Sequence, residues 1–547
     1  MRMIFNTSAR VMRAARMRAS AEHGFTMVIA LGVLLVTSLL LTAVFYAVSG
    51  EIHLGTDNLA AKRAYAAADA GVQAYLYQMN QNPNYWETCA NNTQSTPVTV
   101  PGSSDGGSYT FQPIYANGNT SCTSNVINSL VDSTTGSIRL VFTGSAGARP
   151  VVQRAIVVSF RMDSPLDFLW YTHFEAVDDG IPGGSPSYSA CGVFYRNTRN
   201  SNCNIVWISG DTMNGPAYTD DQYLINTGAS PTFGRSPADK IESSAPGTTA
   251  ADICSGDNCQ NAIFKGTPVY HAKPIPTPSD NSELLTDAQQ YGNVFTGTTT
   301  IVLNGTSATV TTCTTSATTS CQQKTISSLV NQPIIYVNNA SGCTPTAYTP
   351  FGVTYPANTT GYYGCAGDVY ISGNYTTPVT IGAANNVIIA GNLTTSTDSN
   401  GNPTGGATLG LVANEFVRVM HGINGTDSSS GCSTTNNTSQ TLSNPTIDAA
   451  ILALNHSFIV DNYNCGASPG TLNVHGAIAQ YFRGPVGVAG SNGTAQDGYV
   501  KNYNYDDRLA NILPPYLFDI SDSGWHISRE TLCTPPGTGS NTTTICQ

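Results

Sequence analysis

A long uncharged run near the N-terminus constrains the fold of this chain more than any other feature. No charged side chain occurs between His23 and Glu51, and the run itself covers residues 24–48. As a helix rising 1.5 Å per residue, it would span the roughly 30 Å hydrocarbon core of a bilayer. The leader before it holds five arginines and one acid, Glu22. This excess predicts a single-pass membrane protein with a cytoplasmic N-terminus and its bulk outside the cell.

The junction between leader and run resembles the processing signal of type IV prepilins. The resemblance rests on Gly24, Phe25 and Thr26, which stand where the apolar run begins. It implies that a prepilin peptidase cuts after Gly24 and methylates Phe25, and that other pilins or pseudopilins are partners. A secretory signal peptide is the first alternative, although the run is too long for its apolar region. A simple membrane anchor is the second.

The fifth residue counted from Phe25 is Ile29. Major pilins carry a glutamate there, which neutralises the α-amino group of the neighbouring subunit within an apolar helix bundle. A buried charge without a partner costs several kcal/mol. A subunit with Ile29 therefore suits the filament tip better than the repeated shaft. The resemblance implies a minor pilin or pseudopilin-like subunit that initiates or caps a filament.

The sequence beyond the membrane run predicts a pilin-like α+β part. Residues 59–79 are rich in helix formers, with one apolar stripe formed by Ala61, Tyr65, Ala68, Val72, Tyr75 and Met79. Joined to the membrane run, this gives a helix of about 55 residues, roughly 80 Å long. Residues 64–71 (AYAAADAG) resemble a segment of PilX-type minor pilins. Three alternating stretches within residues 108–162 then predict an antiparallel sheet.

The following region predicts a mainly-β fold. Charged residues make up only 10% of the chain, and from about residue 203 short β-prone runs alternate with Gly and Asn. Since several runs are apolar on both faces, we expect a right-handed parallel β-helix, or solenoid. A β-sandwich or propeller is the alternative. The region resembles bacterial proteins that join a PilX-type N-terminus to a large extracellular β-solenoid, over residues 210–224, 365–393, 409–421, 447–466, 474–487 and 503–509.

These features predict five segments. They are a leader (1–24), a transmembrane and filament helix (25–82), a pilin-like β domain (83–163), a β-solenoid (164–497) and a C-terminal cap or tail (498–547).

All fourteen cysteines follow the apolar run, which suits disulfides in an oxidising compartment. Neighbour pairing is the simplest connectivity, although other pairings are open. It joins Cys89 to Cys122, Cys191 to Cys203, Cys254 to Cys259, Cys313 to Cys321, Cys343 to Cys365, Cys432 to Cys465, and Cys533 to Cys546.

Candidate chemistry is sparse, so we expect no enzyme, no cofactor and no metal. Acidic pairs occur at residues 178–179, 220–221 and 506–507, and His-Gly pairs at 421–422 and 475–476. Glycan-cleaving β-helices use such groups, but the R-x-K element of their pattern does not follow here. His421, His456 and His475 could together bind a metal, yet isolated strand histidines are usually packed or surface residues.

The expected partners follow from charge and exposure. The net charge is −11, and without the basic leader it is about −15, which argues against nucleic acid. A surface or a glycan is the expected ligand of the exposed head. A membrane-tethered structural or adhesive protein outside any filament is the second hypothesis. A glycan-active β-helix enzyme is the third.

Overall fold

The computed structural model consists of a long N-terminal helix followed by a mostly β body, as the sequence predicts. It describes residues 25–82, 84–102, 106–116, 118–123, 126–132, 135–147, 151–181, 190–195, 199–226, 229–246, 254–255, 263–313, 321–355, 362–424, 437–489, 495–517 and 524–533. The predicted leader, residues 1–24, lies outside these ranges.

Helix α1 (Phe25–Gln81) is continuous over 57 residues, roughly 85 Å. It passes through Gly50 and Gly55 without a break. The sequence explains where it ends, because Pro83 disfavours helical geometry in the residue before it. Two shorter α-helices follow, α2 (Val126–Leu130) and α3 (Ser282–Tyr291). Single 3-10 turns occupy Tyr85–Glu87, Cys89–Asn92, Pro165–Asp167, Ser201–Cys203 and Asp507–Ala510.

A six-stranded antiparallel sheet packs against the second half of α1. Its strands are β1 (Gln94–Thr99), β2 (Ser108–Ile114), β3 (Val131–Asp132), β4 (Ser137–Ala146), β5 (Val152–Met162) and the last described strand, β31 (Trp525–Cys533). The order is β1-β2-β4-β5-β31, with β3 on β4. The three predicted strands correspond to β2, β4 and β5, and β31 completes the sheet from the far end of the sequence.

The core between α1 and this sheet is apolar and rich in aromatic rings. Cross-strand pairs such as Ile138–Phe160 and Phe142–Ile156 present one buried face to the helix. The helix contributes Ala64, Ala67, Ala68, Val72, Tyr75 and Met79 to its buried side. The predicted stripe is wrong in its first turns, because Tyr65 is 40% exposed and bonds Glu530 at 2.7 Å, while Ala61 is only half-buried.

The larger body consists mainly of one 21-stranded sheet. The strands between the two ends of the chain, including two short pairs outside this sheet, are β6 (Trp170–Phe174), β7 (Thr212–Asn214), β8 (Ala217–Thr219), β9 (Tyr223–Leu224), β10 (Thr232–Phe233), β11 (Lys240–Ser243), β12 (Cys254–Ser255), β13 (Ile263–Phe264), β14 (Thr267–Val269), β15 (Asn293–Thr296), β16 (Thr299–Gly305), β17 (Ser307–Cys313), β18 (Cys321–Ile326), β19 (Ile334–Asn338), β20 (Val369–Tyr375), β21 (Val379–Ala383), β22 (Val387–Thr394), β23 (Leu409–Ala413), β24 (Val417–Val419), β25 (Thr446–Ala453), β26 (Phe458–Val460), β27 (Thr471–Phe482), β28 (Gly487–Ala489), β29 (Ala495–Gly498) and β30 (Val500–Tyr505).

Parallel pairing dominates this body, mostly between strands two apart in the chain, and between β16 and β20 across the antiparallel strands β17 and β18. One ladder runs β19-β21-β23-β25-β27 and another β16-β20-β22-β24-β26. The registers align buried apolar side chains in continuous rows. The first row is Ile335, Ile381, Leu411, Ile451 and Ile478, all fully buried. Parallel strands buried on both faces need such apolar runs, which the sequence supplies.

The ladder does not follow chain order throughout. Beyond β27 it continues into β6, β8, β11 and β14, which come from the start of the body. The chain therefore begins in the middle of the ladder, runs to one end through residues 170–269, and returns over α3. It then fills the other half from β15 onward. On the edge of β27 that faces away from β25, residues 471–476 pair with β30 and residues 478–482 pair with β6, so the first and last strands of the large sheet meet at mid-ladder.

Four predicted neighbour disulfides are present: Cys89–Cys122, Cys191–Cys203, Cys313–Cys321 and Cys343–Cys365. Cys465 and Cys533 are also disulfide-bonded, and their predicted partners, Cys432 and Cys546, lie outside the described residues. The predicted partner of Cys254, Cys259, likewise falls outside them.

Candidate functional site

The first half of α1 presents an apolar surface that no other part of the described chain covers. Residues 27–48 form a 22-residue stretch of which nothing is buried, with Ile29 51% and Leu41 70% exposed. Monomeric soluble proteins rarely expose apolar patches this long. Its length and composition are sufficient for one membrane crossing. This segment can anchor the protein in a bilayer.

Two threonine hydroxyls within the stretch bond carbonyl oxygens of the helix itself. The Thr37 hydroxyl donates to the carbonyl of Val33 at 2.8 Å, and the Thr42 hydroxyl donates to Ser38 at 2.7 Å. Such bonds remove the cost of placing a hydroxyl in hydrocarbon. The helix can therefore enter an apolar environment without an unpaired donor on these residues.

The predicted processing residues lie at the start of this helix. Gly24 is outside the described residues, and α1 begins at Phe25 and includes Thr26. Ile29 lies one turn further on, inside the exposed stretch. Cleavage and methylation remain predictions.

The second half of α1 fixes the exposed half to the head. Gly144 of β4 allows the closest approach, because a Cβ atom there would lie 1.9 Å from the carbonyl oxygen of Ala64. Tyr75 is buried among Phe111, Phe142 and Phe160, with ring centroids 5.2 to 6.1 Å away. These contacts join the second half of α1 closely to the N-terminal sheet.

One acid of each acidic pair singled out in the sequence forms an ion pair in the structure. Asp221 is fully buried and bonds Arg199 at 2.6 Å. Asp178 binds His456 at 2.9 Å, and Asp506 binds Arg508 at 2.7 Å. A carboxylate held this way is engaged in the fold. These contacts support structural roles for the three acids.

A buried charge cluster lies near the middle of the ladder, where β6 pairs with β27. The guanidinium of Arg483 bonds Glu175 at 3.1 Å and lies 3.9 Å from the ring centroid of Trp207. The indoles of Trp170 and Trp207 also donate to Glu175, at 2.8 and 3.2 Å. Paired and fully hydrogen-bonded charges of this kind tolerate burial. Sequence reasoning missed this cluster, because its members come from distant segments with no shared motif.

The three histidines considered as metal ligands do not converge. His421 bonds Asn437 at 3.2 Å, His456 bonds Asp178, and His475 bonds Asp448 at 3.0 Å. Burial lowers the pKa of His421. Within the described ranges, no group of three His, Cys, Asp or Glu side chains is placed to hold a metal ion.

Comparisons with known proteins add one distant likeness. No protein-family model matches the chain, and no curated protein matches it. Among solved structures, the competence-associated pilin ComZ from Thermus thermophilus is similar over 86% of this chain and 97% of its own. The sequence identity is 14% and the TM-score 0.29. At this TM-score the likeness supports no conclusion about the role of the chain.

Proposed function

We propose that this protein is a minor pilin or pseudopilin-like subunit that holds a large non-catalytic head at the tip of a filament. The observation that carries the proposal is the division of α1. Its first half is apolar and uncovered, and its second half is packed against a sheet. Such a helix can reside in the membrane before assembly and then transfer to a bundle of similar helices, because both environments cover the same apolar surface.

Two features support a position at the tip. Ile29 leaves no carboxylate to neutralise the amine of a neighbouring subunit, whereas a shaft subunit needs that charge pair. The described residues beyond α1 also form a head much larger than the helix. A head of this size would crowd a tightly stacked shaft, but it has free space at an apex.

We further propose that the larger body is a right-handed parallel β-helix. Its support is the parallel pairing of strands two apart, with apolar side chains aligned in rows. A solenoid of this type buries each turn against the next. It would extend the exposed surface of the head away from the filament.

Mass spectrometry of the protein from its native membrane tests the processing. We expect an N-terminus at Phe25 carrying an N-methyl group, and a block of cleavage by Gly24→Leu. An N-terminus at Met1 would contradict the proposal.

Immuno-electron microscopy of purified filaments tests the location. We expect label at one end and few copies per filament, and the same result for Ile29→Leu, which keeps the surface apolar. Ile29→Lys is the matched control, because it places an unpaired charge in the helix bundle and should abolish incorporation. Membrane-bound protein that never labels a filament would instead favour a tethered surface protein.

A further inference from the structure

A polar cavity of about 340 Å³ lies beside three successive turns of the large body. The turns follow β21, β23 and β25 and contribute Asn385, Glu415 and His456. Backbone bonds stack them, from Glu415 N to Asn385 O at 3.1 Å and from Asn455 N to Asn414 O at 2.9 Å. Asn339, in the turn after β19, and residues 345–348 complete the lining. We call this space the turn cavity, and its volume falls in the range of small-ligand sites.

A charged triad fixes one wall of the turn cavity. His456 bonds fully buried Asp178 at 2.9 Å through Nδ1 and pairs with Glu415 at 3.1 Å through Nε2. Its ring stacks on Phe416 with centroids 4.3 Å apart and planes nearly parallel. Both imidazole nitrogens and one ring face are therefore held by neighbouring groups. The wall is rigid, and the cation in it is already neutralised.

Four lining residues have a side-chain polar atom with no partner in the described part of the chain, and one of these atoms is the hydroxyl of exposed Thr346. Asn339 accepts from Gly367 through Oδ1, which leaves its Nδ2 donor unused. Asn385 donates through Nδ2 to Asp368, which leaves its Oδ1 acceptor unused. Glu415 is 37% exposed and pairs through Oε2 only, which leaves Oε1. One amide donor, two acceptors and the Thr346 hydroxyl thus remain beside the cavity.

This set of groups matches a neutral ligand with several hydroxyl groups. A hydroxyl both donates and accepts, so it can satisfy Asn339 Nδ2 as well as the two acceptors. An acidic sugar fits poorly, because the one cation of the lining, His456, is held by two carboxylates. An acid would also lie close to Glu415, and like charges repel.

We propose that the turn cavity binds one uncharged sugar ring of a surface glycan. That the sugar belongs to a surface glycan rests on the proposed function, in which the head contacts a surface. Binding in the cavity itself needs no filament, so each can be tested without the other.

Saturation-transfer NMR on the full chain in detergent micelles tests the assignment. The probes are methyl glucoside, methyl galactoside and N-acetylglucosamine, with methyl glucuronide as the acidic counterpart. We expect transfer to at least one neutral probe and none to the glucuronide. If methyl glucoside binds, a soluble glucan such as dextran should compete with it. If another neutral probe binds, a soluble polymer of that same sugar should compete with it.

Ala347→Trp blocks the cavity from its exposed wall and should weaken binding roughly tenfold or more, because it removes the space for the ring. Thr344→Trp places the same ring on an exposed neighbour outside the lining and should leave binding unchanged. Thr346→Trp is a second blocking variant, in case the first fails to fold. Filament labelling should be unaffected by all three.

Four results would overturn the assignment: no transfer to any neutral probe, equal transfer to the glucuronide, binding that survives both blocking variants, or equal loss in Thr344→Trp. Transfer without competition by the polymer would overturn the glycan source. If the unmodified protein binds the sugar but labels no filament, the result would instead count against the proposed function alone.

Discussion

Single residues in this protein are held by charge pairs that join distant segments. Arg418 bonds fully buried Asp461 at 2.9 Å, and its guanidinium lies 4.1 Å from the Tyr348 ring centroid. Arg483 and Glu175 form a similar pair 308 positions apart in sequence. Removing one member of such a pair leaves a buried charge and costs about 3–5 kcal/mol. Each pair links segments that lie apart in the sequence.

His456 should make stability depend on alkaline pH. Burial lowers its pKa, but the bonds to Asp178 and Glu415 outweigh this and raise the pKa to about 9. The value in an unfolded chain is about 6.5. The folded state therefore holds the proton more tightly, and the stabilisation is complete below about pH 6.5 and lost as pH rises through about 9. Its size is on the order of 3 kcal/mol.

Histidine hydrogen–deuterium exchange read by mass spectrometry measures this pKa directly. We expect a midpoint near 9 for His456 and one below the ordinary value for His421. The midpoint temperature of thermal unfolding should fall between pH 6.5 and 10 in the parent protein. It should fall much less in His456→Gln. A midpoint for His456 near 6.5 would contradict the ion-pair geometry.

At the scale of elements, the close packing of α1 on the N-terminal sheet depends on one glycine. The close approach at Gly144 places Ala64 and Ala68 directly against β4. Small residues on the helix and a missing Cβ on the strand bring the two backbones together. The same contact explains why the stripe predicted from Tyr65 shifts to Ala64 and Ala67.

Gly144→Ala should separate α1 from β4 and destabilise the N-terminal sheet by about 2–3 kcal/mol, because backbone atoms of the helix cannot move aside. Amide exchange in residues 64–79 and 137–146 would report the change. Gly406→Ala is the matched control, since no atom lies within 4 Å of its added Cβ. Equal exchange in the two variants would argue against the close contact.

Across the whole molecule, the sequence predicts elements better than their partners. The apolar run, the helix after it and the strands β2, β4 and β5 follow from local periodicity, which depends on each segment alone. Two features do not follow. The pairing of β31 with β5, and the position of β6 beside β27, are choices between strands of similar composition. Local patterns carry no information about such choices.

Ending the chain at residue 516 should destabilise the N-terminal sheet, although residues 84–162 are untouched. The cut removes β31, and with it Trp525, whose ring lies 6.1 Å from Trp86 in the core. Limited proteolysis should then cleave between residues 84 and 162 while the large body stays resistant. The full-length chain keeps β31 and serves as the control, and identical digestion of both proteins would refute the role of β31.

The adjacent ends of β5 and β31 have a mechanical consequence. The large body leaves the N-terminal sheet through both strands at one place, where Asp163 N–H donates to Gly524 O at 2.8 Å. Tension on the body would pull both strands in the same direction along their length. The β4–β5 hydrogen bonds would then be loaded in shear, together, and would not open one after another. Single-molecule pulling between the body and α1 should therefore record one high rupture force, where a peeling geometry would give a low plateau.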